Sequence, residues 1–121
     1  MKIPKNANKY NLMKTFKQYN NKPQIEQYVV CEEESTYEID APKEMIMFVK
    51  NNIGKLVEIY QLDWEYPYIV QFENIPKSQK RNFQIIGNFE NCRAYNRSEI
   101  KHFSKNKEDC LIFIEGEKYN L

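Results

Sequence analysis

The 121-residue sequence contains three glycines, one histidine and one tryptophan, and only three alanines, Ala7, Ala41 and Ala94. So few glycines give no phosphate-cradling loop. So few small residues argue against a close-packed helical bundle and favour a sheet built on aromatic and β-branched side chains. The cysteines, Cys31, Cys92 and Cys110, lack the short paired spacing of a disulfide framework or a structural zinc site. They read as buried, reduced thiols, with His102 as a surface imidazole and no metal or cofactor expected. No apolar run reaches the roughly 18 residues of a membrane span, and the lysine-rich start lacks the apolar stretch of a secretory signal. A cytoplasmic protein with no membrane partner is the expectation. Paired carboxylates suited to acid-base work are also missing: Glu32, Glu33 and Glu34, like Asp63 and Glu65, fall in polar, turn-like segments with no sign of desolvation. His102 has no neighbouring nucleophile in a recognisable context. An enzyme is therefore not expected.

What the chain does have is aromatic mass, nine tyrosines and seven phenylalanines, and charge arranged in blocks. Residues 1–25 hold six lysines and no acid. Residues 26–49 hold seven acids against one lysine, and residues 77–107 eight bases against two acids. The net charge of +1 hides this asymmetry, which marks either a surface for a charged partner or blocks that face one another within the fold. Lysine outnumbers arginine fifteen to three and asparagine reaches fourteen, a bias an AT-rich genome would write, so part of the lysine count carries no functional message.

The chain divides into a basic N-terminal extension, 1–24, and a single β-rich domain, 25–121. In the extension, Tyr10, Met13, Phe16 and Tyr19 recur at three-residue spacing and predict a short amphipathic helix ending at Asn20-Asn21-Lys22-Pro23. Ile25–Cys31 and Thr36–Ile39 read as a hairpin around the acidic turn Glu32-Glu33-Glu34-Ser35. Asp40-Ala41-Pro42 opens a helix with Met45, Ile46 and Val49 on one face, stopping at Asn51-Asn52. Lys55–Tyr60 and Pro67–Phe72 predict strands flanking the polar turn Asp63-Trp64-Glu65, with Tyr68, Val70 and Phe72 on one side and Val57, Ile59, Ile69, Val70 and Phe72 mostly buried. A basic loop, Lys77–Asn82, follows. Then come strands at Phe83–Ile86 and Cys92–Tyr95 broken at Gly87-Asn88, a helical turn at Ser98-Glu99-Ile100, and a closing strand at Cys110–Ile114. The fold class this predicts is α+β, mainly β: a small barrel or bent antiparallel sheet with one or two short helices.

The central stretch carries a resemblance. Ile53-Gly54-Lys55-Leu56-Val57-Glu58-Ile59, then Tyr66-Pro67-Tyr68-Ile69-Val70-Gln71-Phe72-Glu73-Asn74, then Arg97-Ser98-Glu99-Ile100 resembles a small SH3-like β-barrel module. Modules of this kind occur in ubiquitin-ligase repeats and in small proteins of low-GC Gram-positive bacteria and their phages. The likeness spans about residues 45–103. It implies a bend at Gly54, core positions at Tyr68, Val70 and Phe72, and a short turn at Ser98-Glu99-Ile100. One barrel hosts unrelated activities, so the resemblance bears on fold more than on function.

Two functions of different classes follow. In the first, Trp64, Tyr66 and Glu65, with Lys77, Lys80 and Arg81, grip another protein, since rigid aromatics with a polar handle are favoured interface anchors. The chain would then be a phage or mobile-element accessory protein that occludes a host protein or protein–nucleic acid complex. Its most concrete form is an inhibitor of a CRISPR-type defence nuclease, acting as a monomer or weak homodimer. In the alternative, Lys77, Lys80, Arg81, Arg93, Arg97 and Lys101 hold phosphates while Tyr95 or Phe83 stacks on a base, making a nucleic-acid-binding domain. The near-neutral pI of 7.6 weighs against the second.

Overall fold

A computed structural model describes residues 22–34 and 43–119. The helix expected within residues 10–19, the strand Thr36–Ile39 and the helix cap Asp40-Ala41-Pro42 lie outside the described residues. In chain order the elements are β1 (Tyr28–Cys31), α1 (Lys43–Asn51), β2 (Gly54–Ile59), β3 (Tyr68–Phe72), a 3-10 segment (Lys77–Asn82), β4 (Gln84–Ile86) and β5 (Phe89–Tyr95). A second 3-10 turn (Arg97–Glu99), β6 (Ile100–Ser104) and α2 (Lys107–Tyr119) complete them. The strands form one antiparallel sheet in the order β4-β5-β3-β2-β1-β6. The sheet is open, so the class is α+β, mainly β, as an antiparallel sheet with short helices and not a closed barrel.

Chain geometry requires this sheet to bend. β5 and β6 lie four strand spacings apart, roughly 19 Å if the sheet were flat. Only Asn96–Glu99 joins them, and a 3-10 turn advances about 2 Å per residue. The link cannot span a flat sheet, so the sheet curls until the end of β5 meets the start of β6. Register shifts between Val30 and Cys31 and between Leu56 and Glu58 supply local irregularities where strands bend and twist more strongly.

Strand alternation sorts the core onto two faces. One face gathers Val29, Cys31, Leu56, Tyr68, Val70, Phe72, Tyr95 and Ile100 beneath Met45 and Val49 of α1, with Phe83 beside them. Phe72 is its centre, packing edge-on against Phe83, Phe48 and Tyr95 at 5.6, 6.1 and 6.4 Å between ring centroids, the geometry that aromatic quadrupoles favour. The other face is split. Val30 lies under Cys110 and Ile114 of α2, while Val57, Ile69 and Cys92 pack with Tyr60, Ile86 and Phe89. Four of the five expected core residues, Val57, Ile69, Val70 and Phe72, are buried, whereas Ile59 is half-buried. All three cysteines are buried free thiols.

Helix α1 ends where expected, because Asn51 and Asn52 turn their side-chain amides back onto the carbonyls of Met47 (2.9 Å) and Phe48 (2.8 Å). The closing strand expected at Cys110–Ile114 is instead part of α2. Its buried positions, Cys110 and Ile114, are one helical turn apart, and Ile112, which a strand would bury beside them, is exposed. Ser104 Oγ donates to Asp109 Oδ2 (2.7 Å) and accepts from the Asn106 backbone (3.0 Å). Glu108 and Asp109 then place negative charge on the first turn, where the helix dipole favours it. The last strand is β6, which takes Ile100 from the expected helical turn and continues through residues 101–104, for which the sequence predicts no element. His102 on it is not a surface imidazole, since its ring stacks on Phe113. The basic loop is a 3-10 segment, and β5 starts three residues earlier than the strand expected from Cys92.

Gly54 is fixed by close approach. A Cβ there would stand 2.3 Å from Val70 Cγ1, itself completely buried, and 3.3 Å from the Gln71 carbonyl oxygen. Gly54→Ala is expected to destabilise the fold by about 1–3 kcal/mol through overpacking, measured as a lower urea midpoint at unchanged slope.

Candidate functional site

Within the acidic run 32–34, expected as solvated turn residues, Glu34 is exposed, whereas the Glu33 carboxylate is folded inward. Glu33 leaves the end of β1 and accepts from Arg93 Nε and from the Tyr95 hydroxyl (3.0 Å), both on β5. Arg93 Nη1 also donates to the Asn82 carbonyl (2.6 Å). Glu34 accepts from Lys101 Nζ (2.7 Å) and Ser98 Oγ (2.8 Å). These bonds hold its carboxyl below its ordinary pKa, Lys101 having the larger effect.

Glu99, 2% exposed, ties the crossover to β1. One of its oxygens accepts from the Asn96 backbone N–H (3.0 Å) and the other from Glu34 N–H (3.1 Å), while the Asn96 side chain accepts from Glu99 N–H (3.0 Å). This is a capping box, two free amides satisfied reciprocally, with a third bond to the acidic segment. Burial raises the Glu99 carboxyl pKa, and the neighbouring charges of Glu33 and Glu34 add to it, against the opposing pull of the two backbone hydrogen bonds.

These contacts redistribute the expected site residues. Tyr95 is wholly buried and Phe83 is buried in the same core, so neither ring has a face to offer a base, and their assignment as stacking residues is corrected. Arg93 and Lys101 are held in ion pairs. Arg97 donates to the Ile100 carbonyl (3.0 Å) and lies over the Phe103 ring at 5.1 Å. Lys77, Lys80 and Arg81 are exposed on the 3-10 segment, and no ion pair involves them among the described residues. That segment is anchored by Gln79, which donates to Glu44 Oε2 on α1 (2.6 Å) and accepts from Asn82 Nδ2 (2.9 Å).

The aromatic turn between β2 and β3 is built separately. Tyr60 N–H donates to the Pro67 carbonyl (2.8 Å), closing its base, and Trp64 N–H donates to the Gln61 carbonyl (2.9 Å). Trp64 is 52% exposed yet held against the Tyr60 ring at 5.3 Å, planes tilted by 30°. Leu62, Asp63, Glu65 and Tyr66 complete the exposed rim. Trp64 thus rests, through Tyr60, on the Val57–Ile69–Cys92 face, while the basic segment is tied to α1 on the opposite face. The structure does not bring Lys77, Lys80 and Arg81 together with Trp64 and Tyr66 as one contiguous patch. Tyr66 instead borders a cleft of about 270 Å³ with Gln84, Arg93 and Glu33.

Reactive thiols are not part of this surface. Burial pushes Cys92 and Cys110 up to about 11 and Cys31 well above its ordinary value, so all three stay protonated at neutral pH. Among the described residues no group of three or more His, Cys, Asp or Glu side chains is arranged to hold a metal ion. Sequence reasoning missed Leu62 as part of the rim, and Glu33, Glu34 and Glu99 as structural groups. The Asn96-x-x-Glu99 spacing is a legible capping signal, and the opposed charge blocks pointed to the pairing of Glu33 and Glu34 with Arg93 and Lys101. In comparisons with protein-family models, curated proteins and solved structures, no match was found.

Glu99→Ala leaves two backbone amides without acceptors at the tightest link of the fold. It is expected to cost about 2–3 kcal/mol, read by urea denaturation followed by circular dichroism, with Glu99→Gln retaining more stability than Ala.

Proposed function

We propose that the protein is a non-enzymatic protein-binding module whose contact surface is the aromatic turn, with Trp64 as its anchor, Leu62 and Tyr66 beside it and Asp63 and Glu65 on the rim. The observation that supports this is the state of Trp64: half its surface faces solvent while its ring is braced on Tyr60. A large side chain already held in place loses little conformational freedom on binding, which is what makes tryptophan a frequent hot spot. The turn from Gln61 to Tyr66 carries two carboxylates and no base. Its complement is therefore an apolar groove with a basic rim on the partner. Binding through so small a convex turn suits occlusion of a host protein, with a CRISPR-type defence nuclease as its most specific form. That specific form draws on composition and on the SH3-like resemblance, and the class of function draws on the turn.

Nucleic-acid binding is the weaker reading. Of the residues it needs, Arg93, Arg97, Lys101 and Tyr95 are engaged within the fold, which leaves Lys77, Lys80 and Arg81 to carry it.

The test uses the wild type, Trp64→Ala and the double charge reversal Lys80→Glu/Arg81→Glu as baits in host lysate, followed by titration calorimetry on any captured protein. Trp64→Ala is expected to weaken binding by about 2 kcal/mol, roughly thirtyfold, with its melting temperature near wild type and modest salt dependence. Tight, steeply salt-dependent binding to DNA or RNA that the charge reversal abolishes and Trp64→Ala leaves intact would replace this reading with the nucleic-acid one.

A further inference from the structure

Helix α2 meets the sheet through a contact whose character depends on a proton. His102 of β6 pairs in register with Val30 of β1 and lies flat on Phe113 of α2, with ring centroids 4.8 Å apart and planes within 8° of parallel. Its Nε2 is buried and has no hydrogen-bond partner among the described residues. Around this stack, Val30, Cys110 and Ile114 form a buried cluster with Tyr28, Ile53 and Phe113 packed against it. The same helix forms one wall of a groove of about 410 Å³, through Phe113 and Ile114, whose other walls are Val30, Cys31 and Met47.

A neutral imidazole with its proton on Nδ1 tolerates that position as an aromatic plate with one bare acceptor. The imidazolium carries an N–H on both nitrogens, so charging the ring leaves a donor of a cation buried without an acceptor, which is costly. We propose that protonation of His102 is a release for helix α2: mild acidification charges the ring, breaks its stack on Phe113, and frees residues 107–119 from the β1–β6 half of the sheet. The groove then loses a wall and the Cys110 thiol becomes accessible.

Burial, and not the surrounding charge, sets this sign. From α2, Asp109 attracts the imidazolium and Cys110 is a protonated thiol. From β1 the partner in register is uncharged Val30, with Tyr28 the ionisable side chain of that cluster. On β6 itself the neighbouring Lys101 is paired with Glu34. Burial outweighs the attraction of Asp109 and holds the His102 pKa below its ordinary 6.5. A group whose folded pKa is depressed in this way stabilises the closed helix fully above the unfolded pKa of about 6.5, and that contribution is lost as pH falls toward the folded pKa.

Because the chain has one histidine, its imidazole signals are unambiguous in a nitrogen–carbon NMR titration. The experiment pairs that titration with amide hydrogen-exchange protection, corrected for intrinsic rates, between pH 7.5 and 5.5. The imidazole midpoint should lie below 6.5. Protection of the amides of Cys110–Ile114 should fall with pH by up to about tenfold per unit, while that of β2 and β3 is unchanged. His102→Phe keeps a flat ring on Phe113 and should abolish the pH dependence of α2. If that variant does not fold, the wild-type data decide. A midpoint at or above 6.5, α2 protection that stays constant through the imidazole titration, or an undiminished pH dependence in His102→Phe would each overturn the proposal.

Discussion

Glu99 sits at the point where the chain must cross from β5 to β6 in four residues. Its carboxylate accepts from Asn96 and Glu34, and its backbone carbonyl accepts from Glu32 N–H at 2.8 Å. Three strands separate β5 from β6 in the hydrogen-bonding order, so this short bridge exists only if the sheet is curled, and the curl persists only while the bridge is held. Glu33 completes the closure from β1 by reaching Arg93 and Tyr95 on β5. A buried ion pair need not add net stability over an apolar alternative, but removing one partner of it is expensive. The arrangement therefore specifies the bent geometry more than it adds to the free energy of a generic hydrophobic core.

The same closure explains the surface. The acidic 26–49 block and the basic 77–107 block meet across the curl at two ion pairs, Glu33 with Arg93 and Glu34 with Lys101. Part of what looks in sequence like a basic binding face is taken up by the fold: Arg93 and Lys101 are ion-paired and Arg97 bonds a backbone carbonyl, while Lys77, Lys80, Arg81, Lys105 and Lys107 stay exposed. The aromatic turn braced on Tyr60 and the three bases of the 3-10 segment face outward on opposite faces of the sheet, and Lys105 and Lys107 are exposed beside the start of α2. A protein-binding reading uses the first without the second.

Local periodicity made much of the fold legible in the sequence. The alternation of Tyr68, Val70 and Phe72 against Ile69 identifies β3 and its two faces, Asn51-Asn52 stops α1, and Gly87, at φ of 61°, turns β4 into β5. Failures came where tertiary context decides. Cys110–Ile114 has a composition that suits strand or helix equally, and only the covering of Val30 by residues one turn apart selects the helix. Glu33 and Glu34 read as unpaired because no local pattern announces partners 60 or more residues away. His102 reads as a surface residue because its burial comes from Phe113, eleven positions later. At the candidate site, Trp64 was legible as an exposed aromatic in a polar turn, whereas the withdrawal of Tyr95 and Arg93 into the fold depends on the curl and was not.

The measurement closest to the central claim is a double-mutant cycle on Glu33 and Arg93, with Glu33→Ala, Arg93→Ala and the double variant unfolded in urea at pH 7. If the charge blocks close the sheet upon themselves, each single variant loses about 3 kcal/mol, and the double variant loses much less than their sum, a coupling of about 2 kcal/mol. Additive losses, with coupling near zero, would contradict the account and return Arg93 to the outward-facing surface.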